Sequence, residues 1–416
     1  MFEHRGFMLD VSRHYMPPEE IRKLLDAARV LGLNRMHWHL TDDQGWRIEI
    51  RKYPELTAKG SVRGWSCFGG TPVWERNSGF YTQEEIRDLV AYAAERGIEI
   101  IPEIEIPGHA AAMLAACPQL ACRKDNTGRR WKDRVEISGG IFPSLVCAGN
   151  PETLPFLKDV LDEVTELFPF PMVHIGGDEA VKVRWRRCPD CQRRIREENL
   201  PSEDALQRRL VLQIGEYLSG KGRKTIVWND VLAGGPLPPY FIVQQWMGGE
   251  AATRAFMEGG GSVIRSDNTY FYMDYPYGEI DVGRIREMPV IPDYAKGLED
   301  RLLGFECPLW TERVTSLERA AWLLFPRLTA VSCRLSGEKL SGRAFMEKVA
   351  ATEKKREEAT GLKGAPAEEW ELSPADAERE REAEQVKIRS GKAGYYVRRS
   401  EALTRQEAAE RNREKP

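Results

Sequence analysis

Histidine is scarce in this chain, six in 416 residues, and the scarcity argues against a catalytic metal hydrolase. His37 and His39 lie two apart on a strand-like run and so point to one face. Many metal-dependent barrel hydrolases open their site with such a pair, but they need further ligands on later strands. The other histidines are His4, His14, His109 and His174, and the chain beyond His174 has none. His37 and His39 therefore read as packed, hydrogen-bonded core residues. An apolar run of about 18 residues is also missing, so no transmembrane helix is expected. The opening Met-Phe-Glu-His-Arg-Gly lacks the basic start and apolar stretch of a secretory leader, and a cytoplasmic location is the expectation. Charge of one sign is lacking too: 61 Lys+Arg against 64 Asp+Glu leave −3, which gives no reason to expect nucleic acid or a membrane surface as partner. The cysteines number eight, several in strand-like or helical runs where a thiol packs as a small hydrophobe, and no disulfide framework is expected.

What is present is an alternation of short apolar runs and amphipathic segments. Strands are expected from Arg5 to Val11, Arg35 to Leu40, Ile98 to Ile106, Met172 to Ile175, Lys224 to Trp228, Phe241 to Trp246, Ser262 to Ser266 and Leu302 to Phe305. Helices are expected from Pro18 to Leu31, from Thr82 to Arg96 behind a Thr82/Glu85 capping box, from Pro151 to Phe168 with Asn150 as cap, from Ser202 to Ser219, and from Leu317 to Leu335. Eight strands alternating with helices predict an α/β fold, a (β/α)8 TIM barrel spanning 1–342. Residues 343–416 are dense in Glu, Arg and Lys and poor in aliphatics; they read as a charged C-terminal extension, helical on the barrel surface or partly disordered. A barrel of this kind carries its chemistry just past the C-terminal ends of its strands. Arg13, His37, Asp42, His109, Asp178, Trp228, Trp246 and Trp310 fall at such places. The segment Cys117 to Cys147 reads as a long polar loop after the third strand, on the rim where loops shape pockets.

The central stretch is Met172-Val-His-Ile-Gly-Gly-Asp-Glu-Ala180. A short buried strand ends in two glycines, which permit a sharp turn and close approach of a ligand. Two adjacent carboxylates follow. On an extended segment neighbouring side chains point in opposite directions, so Asp178 and Glu179 cannot share one task. One can protonate a leaving group while the other holds a different part of the substrate. Trp228, Trp246 and Trp310 follow strands five, six and eight, and three indoles at strand ends make an apolar box suited to one methyl group, as an N-acetyl substituent presents.

His174-Ile-Gly-Gly-Asp-Glu179 resembles the signature of the family-20 glycoside hydrolases, the β-N-acetylhexosaminidases, and the resemblance recurs in order from Arg5 to Glu312. It implies the same barrel and exo-acting, retaining release of terminal β-linked N-acetylglucosamine or N-acetylgalactosamine through an oxazolinium intermediate. Glu179 would be the general acid and Asp178 the partner of the acetamide nitrogen. Arg13 would contact O3 and O4 of the terminal sugar, the three tryptophans would hold the acetyl group, and Tyr272 would bond its oxygen. Asp274 would reach a hydroxyl near O6, Glu312 would bind O4 and O6, and Asp42 with His109 would support the acid. The partner implied is an oligosaccharide or glycoconjugate ending in β-N-acetylhexosamine; no metal and no cofactor is required. Relatives usually carry a smaller α/β domain ahead of the barrel, which is not expected in this chain. A homodimer contact through the C-terminal tail stays open. Two rival functions remain: a non-catalytic N-acetylhexosamine-binding barrel, and a metal-dependent hydrolase on the same fold. Cys188-Pro-Asp-Cys191 looks like half a zinc ribbon, but no second pair is close in sequence, so both read as free thiols.

Overall fold

Apolar runs of four to eight residues, each followed by an amphipathic helix, leave a strand no edge partner except its sequence neighbours, and the sheet closes on itself. The computed structural model describes residues 2–68, 74, 76–122, 133–338, 340 and 342–389. Its strands β1 (His4–Asp10), β2 (Arg35–His39), β3 (Glu99–Glu103), β4 (Met172–His174), β5 (Lys224–Trp228), β6 (Ile242–Gln245), β7 (Ser262–Arg265) and β8 (Leu302–Leu309) form one closed parallel barrel. Neighbours run in sequence order, and β1 closes the ring against β8 with Arg5 beside Phe305 and Leu9 beside Leu309.

Side chains alternate along each strand, so the interior fills in layers. Ile101, Met172, Ile226, Ile242 and Ile264 make an apolar layer. Two residues further along four of these strands stand Glu103, His174, Trp228 and Gln244, and this layer is polar. Groups buried so fully must be paired. Glu103 receives Trp228 Nε1–H at 2.9 Å and lies 2.8 Å from His174 Nδ1 and against His39 Nδ1. His37 sits between two carboxylates, 2.7 Å from Glu306 and 3.0 Å from Glu103. Glu306 also meets His4 at 3.0 Å and accepts from Gln244 Nε2 at 2.7 Å. His37 and His39 are thus packed, paired core residues as expected, and His37 belongs to the interior of β2 and not to the rim. Burial opposes charge on His37, but Glu306 and Glu103 outweigh it and push its pKa up to about 10. The same contest, with Glu103 as the chief partner, takes His39 to about 9.

Several helix starts follow local sequence closely. Thr82 and Glu85 form the reciprocal box ahead of Gln83–Ala94, and the Ser202 hydroxyl accepts Ala205 N–H ahead of Glu203–Gly220. Two expectations are corrected. The helix expected from Pro151 to Phe168 is Thr153–Leu167; Asn150 does not cap it but accepts the N–H of Glu152 in a turn just before it. The expected single helix from Leu317 to Leu335 is two, Leu317–Leu324 and Arg327–Leu335, because Pro326 has no N–H to donate and drives Phe325 to an extended conformation. Helix Gly342–Thr360 packs on Pro18–Val30 and Arg327–Leu335 and buries Phe345 and Val349 in the main core. A further helix, Pro374–Arg389, reaches the barrel through Arg381, whose guanidinium donates to the carbonyl of Gly278 at 2.7 Å. The remainder of the extension, 390–416, lies outside the described residues. No helix among the described residues is long and apolar enough to cross a membrane.

Removing one partner from the interior polar layer leaves buried charge uncompensated. Glu306→Ala should cost about 3–5 kcal/mol in urea unfolding, with the barrel still formed by circular dichroism. The raised pKa of His37 stabilises the fold fully below its ordinary 6.5, and the contribution is lost as pH rises through about 10. The melting temperature should fall across that interval, and fall less steeply in His37→Gln.

Candidate active site

The turn after β4 is built by its glycines. Gly176 and Gly177 have φ of 66° and 105°, and a Cβ on Gly176 would stand 1.9 Å from a Glu105 oxygen. Any side chain there would have to displace the buried Glu105 carboxyl, and glycine takes this backbone conformation most readily. Glu179 itself holds φ of 45°, as does His109 on the neighbouring loop after β3. Two non-glycine residues in the left-handed region at one site are a sign of backbone held by its surroundings. One holder is Asp230, which accepts the backbone N–H of Glu179 at 3.3 Å and the indole N–H of Trp246 at 2.8 Å. Burial, with Asp178 adding, pushes the Asp230 pKa up to about 6.

Asp178 is buried and Glu179 half-buried, and both face His109. The Nε2 of that ring is 3.6 Å from Asp178 and 3.7 Å from Glu179, while Nδ1 is 3.3 Å from Asp42 and 3.2 Å from Asp43. Burial disfavours the imidazolium, but Asp42 and the bonds to Asp178 and Asp43 outweigh it, and the His109 pKa stands well above its ordinary value. An imidazole biased toward its charged form is what allows so many acids to converge in one place. Asp42 also pairs with Arg13 at 2.7 Å and with His39 at 3.0 Å. Burial works against the Arg13 charge, yet Asp42, Asp10 and Glu312 hold its pKa well above the ordinary guanidinium value. Glu105 is also buried here: burial pushes its pKa well up, and Asp178 pushes it further.

A cavity of about 530 Å³ opens at this end of the barrel. Arg13, His109, Asp178, Glu179, Trp228, Trp246, Tyr272, Asp274, Trp310 and Glu312 all line it, and Asp42 stands directly behind Arg13 and His109. The aromatic wall is continuous. Trp246 stacks on Tyr272 at 6.0 Å between centroids, Tyr272 meets Trp310 at 6.3 Å, and Trp310 meets Trp228 at 6.2 Å. Arg13 lies 4.9 Å over the Trp310 ring. Asp274 has one buried oxygen without a hydrogen-bond partner, and burial near Glu312 pushes its pKa up to about 7. Ser138, Gly139 and Gly140 complete the wall from the long loop after β3. That loop is less polar at its ends than its sequence suggests: Cys122, Leu145, Val146 and Cys147 are core residues, and Ala121 and Val146 pair as a β-bridge. Residues 123–132 of it lie outside the described residues.

Sequence reading missed Asp43, Glu103, Glu105 and Asp230. Glu103 and Glu105 carried a signal, two acids on one face of an interior strand, and Asp43 another as the second of a doublet. Asp230 had only its place two residues beyond Trp228.

An adjacent acid pair facing a continuous aromatic wall, on the C-terminal rim of a TIM barrel, defines a glycoside-hydrolase type of site. Residues 2–335 match the catalytic domain of glycosyl hydrolase family 20, and the chain belongs to that family. A beta-hexosaminidase of Porphyromonas gingivalis is 40% identical over 343 residues, covering 80% of this chain and 42% of that protein. One from Vibrio furnissii is 34% identical, covering 80% and 56%. The chain thus spans about half the length of these relatives. Among solved structures, Flavobacterium johnsoniae chitobiase superposes with a TM-score of 0.74 at 32% identity, over 87% of this chain and 52% of that one. An exo beta-N-acetylglucosaminidase of Vibrio harveyi, solved with N-acetylglucosamine, gives 0.77 at 27% identity, over 89% and 60%.

Asp230→Ala would leave the Glu179 N–H and the Trp246 indole without their acceptor. Turnover of a chromogenic glycoside, as kcat/KM, should drop about ten- to hundredfold, with the melting temperature little changed.

Proposed function

We propose that the chain is an exo-acting, retaining β-N-acetylhexosaminidase that releases terminal β-linked N-acetylglucosamine or N-acetylgalactosamine from oligosaccharides or glycoconjugates. The observation that carries this reading is the meeting of Asp178 and Glu179 with one aromatic-walled cavity. A retaining enzyme of the two-carboxylate type needs a protein nucleophile opposite its acid. Substrate assistance is an established exception, known for this family, in which the 2-acetamido group of the sugar takes that place. The aromatic wall of Trp228, Trp246, Tyr272 and Trp310 suits that group, with the methyl against the indoles and the carbonyl oxygen toward the Tyr272 hydroxyl.

In this mechanism Glu179 protonates the glycosidic oxygen. The acetamide oxygen attacks the anomeric carbon as that bond breaks, giving an oxazolinium ion and the free aglycone. Asp178 accepts the acetamide N–H, which aligns the oxygen and offsets the positive charge that develops. Glu179, now a carboxylate, removes a proton from water as the water opens the oxazolinium ring at the anomeric carbon. Two inversions leave the β configuration. Arg13, Asp274 and Glu312 bind the outer hydroxyls, and His109, held as a cation by Asp42 and Asp43, keeps the acid pair in place. Support for an exo mode comes from the Vibrio harveyi neighbour, described as an exo enzyme and solved with the monosaccharide. The intact acid pair speaks against a sugar-binding barrel without catalysis. The chain has no histidine beyond His174 to supply ligands from the later strands, which speaks against a metal-dependent hydrolase.

Hydrolysis of p-nitrophenyl β-N-acetylglucosaminide and of the matching β-glucoside tests the proposal. The first should be cleaved and the second, lacking the acetamide, should be nearly inert; comparable rates would point to a protein nucleophile. Glu179→Gln should lose about 10²–10⁴-fold in kcat on substrates with poor leaving groups, and an unchanged rate would remove Glu179 from the acid role.

A further inference from the structure

Four cysteines that are far apart in sequence meet at one point beside the active-site rim. Cys122 and Cys147 come from the two ends of the long loop after β3, and Cys188 and Cys191 from the segment after the Asp178–Glu179 turn. The pair expected to stand alone therefore has its second pair, 41 to 69 residues away along the chain. All four thiols are buried, between 0% and 2% exposed. The sulfurs of Cys147 and Cys188 are 3.6 Å apart, those of Cys147 and Cys191 3.6 Å, and those of Cys122 and Cys191 3.9 Å; all four lie within 4.8 Å of one another.

These separations are informative. A disulfide brings its sulfurs to about 2.05 Å. A zinc ion with Zn–S bonds of about 2.3 Å at the centre of a tetrahedron separates them by about 3.8 Å. The observed spacings match the edge of that tetrahedron. The surrounding backbone is shaped for the same purpose. Cys188 is the residue ahead of helix Pro189–Glu197 and Cys191 lies in its first turn, where backbone N–H groups and the helix dipole favour thiolates. Gly149 brings the Cys147 segment against that turn: a Cβ there would stand 2.2 Å from the carbonyl carbon of Asp190. Cys147 N–H donates to Leu120 at 2.7 Å, tying the two loop ends together next to Cys122.

We propose that Cys122, Cys147, Cys188 and Cys191 form a structural zinc site, a tetrathiolate that clamps the loop after β3 to the segment behind the catalytic turn. The clamp is structural because a closed four-cysteine set leaves no open position for water or substrate. Its mechanical effect reaches the active site from both sides. The loop it closes carries Ser138, Gly139 and Gly140 at the cavity wall, and the segment it anchors begins immediately after Glu179. Loss of the metal should loosen both.

The test is elemental analysis of the full chain, purified without chelator or metal-affinity resin, together with cobalt exchange. About one zinc per chain is expected, replaceable by cobalt with the intense thiolate-to-cobalt charge-transfer absorption of a tetrathiolate. Cys122→Ser and Cys188→Ser should lose the metal, while Cys333→Ser, at a buried thiol outside the cluster, should keep it. A variant that fails to fold leaves the wild-type readout decisive: four thiols should resist a thiol reagent in the folded protein and become reactive when a strong chelator removes the ion. The melting temperature should fall at the same step. A folded chain that contains no zinc and takes up neither zinc nor cobalt would overturn the proposal. So would disulfides among these four residues, zinc retained in both serine variants, or iron in place of zinc at full occupancy.

Discussion

One buried carboxylate, Glu103, holds the active site to the barrel. Its two oxygens gather Trp228, His174 and His39. Each of these reaches a different part of the site. Trp228 is one wall of the aromatic box, fixed in orientation by its N–H. His174 stands two residues before Gly176, whose backbone nitrogen lies 3.0 Å from the Nδ1 that meets Glu103, and so sets the start of the catalytic turn. His39 passes its other nitrogen to Asp42 at 3.0 Å; Asp42 pairs with Arg13 and His109; His109 meets Asp178 and Glu179. A chain of alternating acids and bases therefore runs from the interior to the reacting groups. Burial pulls the interior acids toward neutrality, and neighbouring bases hold two of them charged: Glu103 lies well below the usual carboxylate range because His174, His39 and His37 outweigh its desolvation, and Asp42 lies below it because Arg13 and His109 do. A network of this kind fixes geometry only when every member is satisfied.

The glycines and the strained backbone are the other half of the same design. Gly176 admits Glu105 to the space a side chain would fill, and burial together with the Asp178 charge pushes the Glu105 pKa well up. His109 and Glu179, both at φ of 45°, are held in a conformation that costs free energy, stabilised by Asp43 and Asp230 and by close packing of Gly108 on the Asp178 backbone at 3.2 Å for its absent Cβ. Rigid presentation of both groups to one cavity is what acid catalysis with an intramolecular partner requires.

Much of the barrel was legible in the sequence because strand and helix periods are local. Lys224–Trp228 falls where its apolar run does, and Thr82 with Glu85 announces the helix it caps. Local signals failed where two of them competed. Pro326 overruled a long amphipathic pattern, and Asn150 took a turn bond in place of a cap. The residues lining the cavity could be named because each follows a strand end and matches a family pattern. Asp43 and Glu103 carried only a weak signal and Asp230 almost none, because their importance lies in whom they touch, and their partners come from other strands. The cysteine cluster is the extreme case: Cys188 and Cys191 look incomplete along the chain and become a set of four only when β3 and β4 lie side by side.

The central claim is that the sugar's own acetamide, seated among the indoles and oriented by Asp178, acts as the nucleophile. The most direct measurement is inhibition of β-N-acetylglucosaminide turnover by a thiazoline analogue of the oxazolinium ion. Competitive inhibition far tighter than substrate binding, and weakened in Asp178→Asn, is the predicted result. Turnover that ignores the thiazoline would contradict acetamide participation and return the search to a nucleophile supplied by the protein.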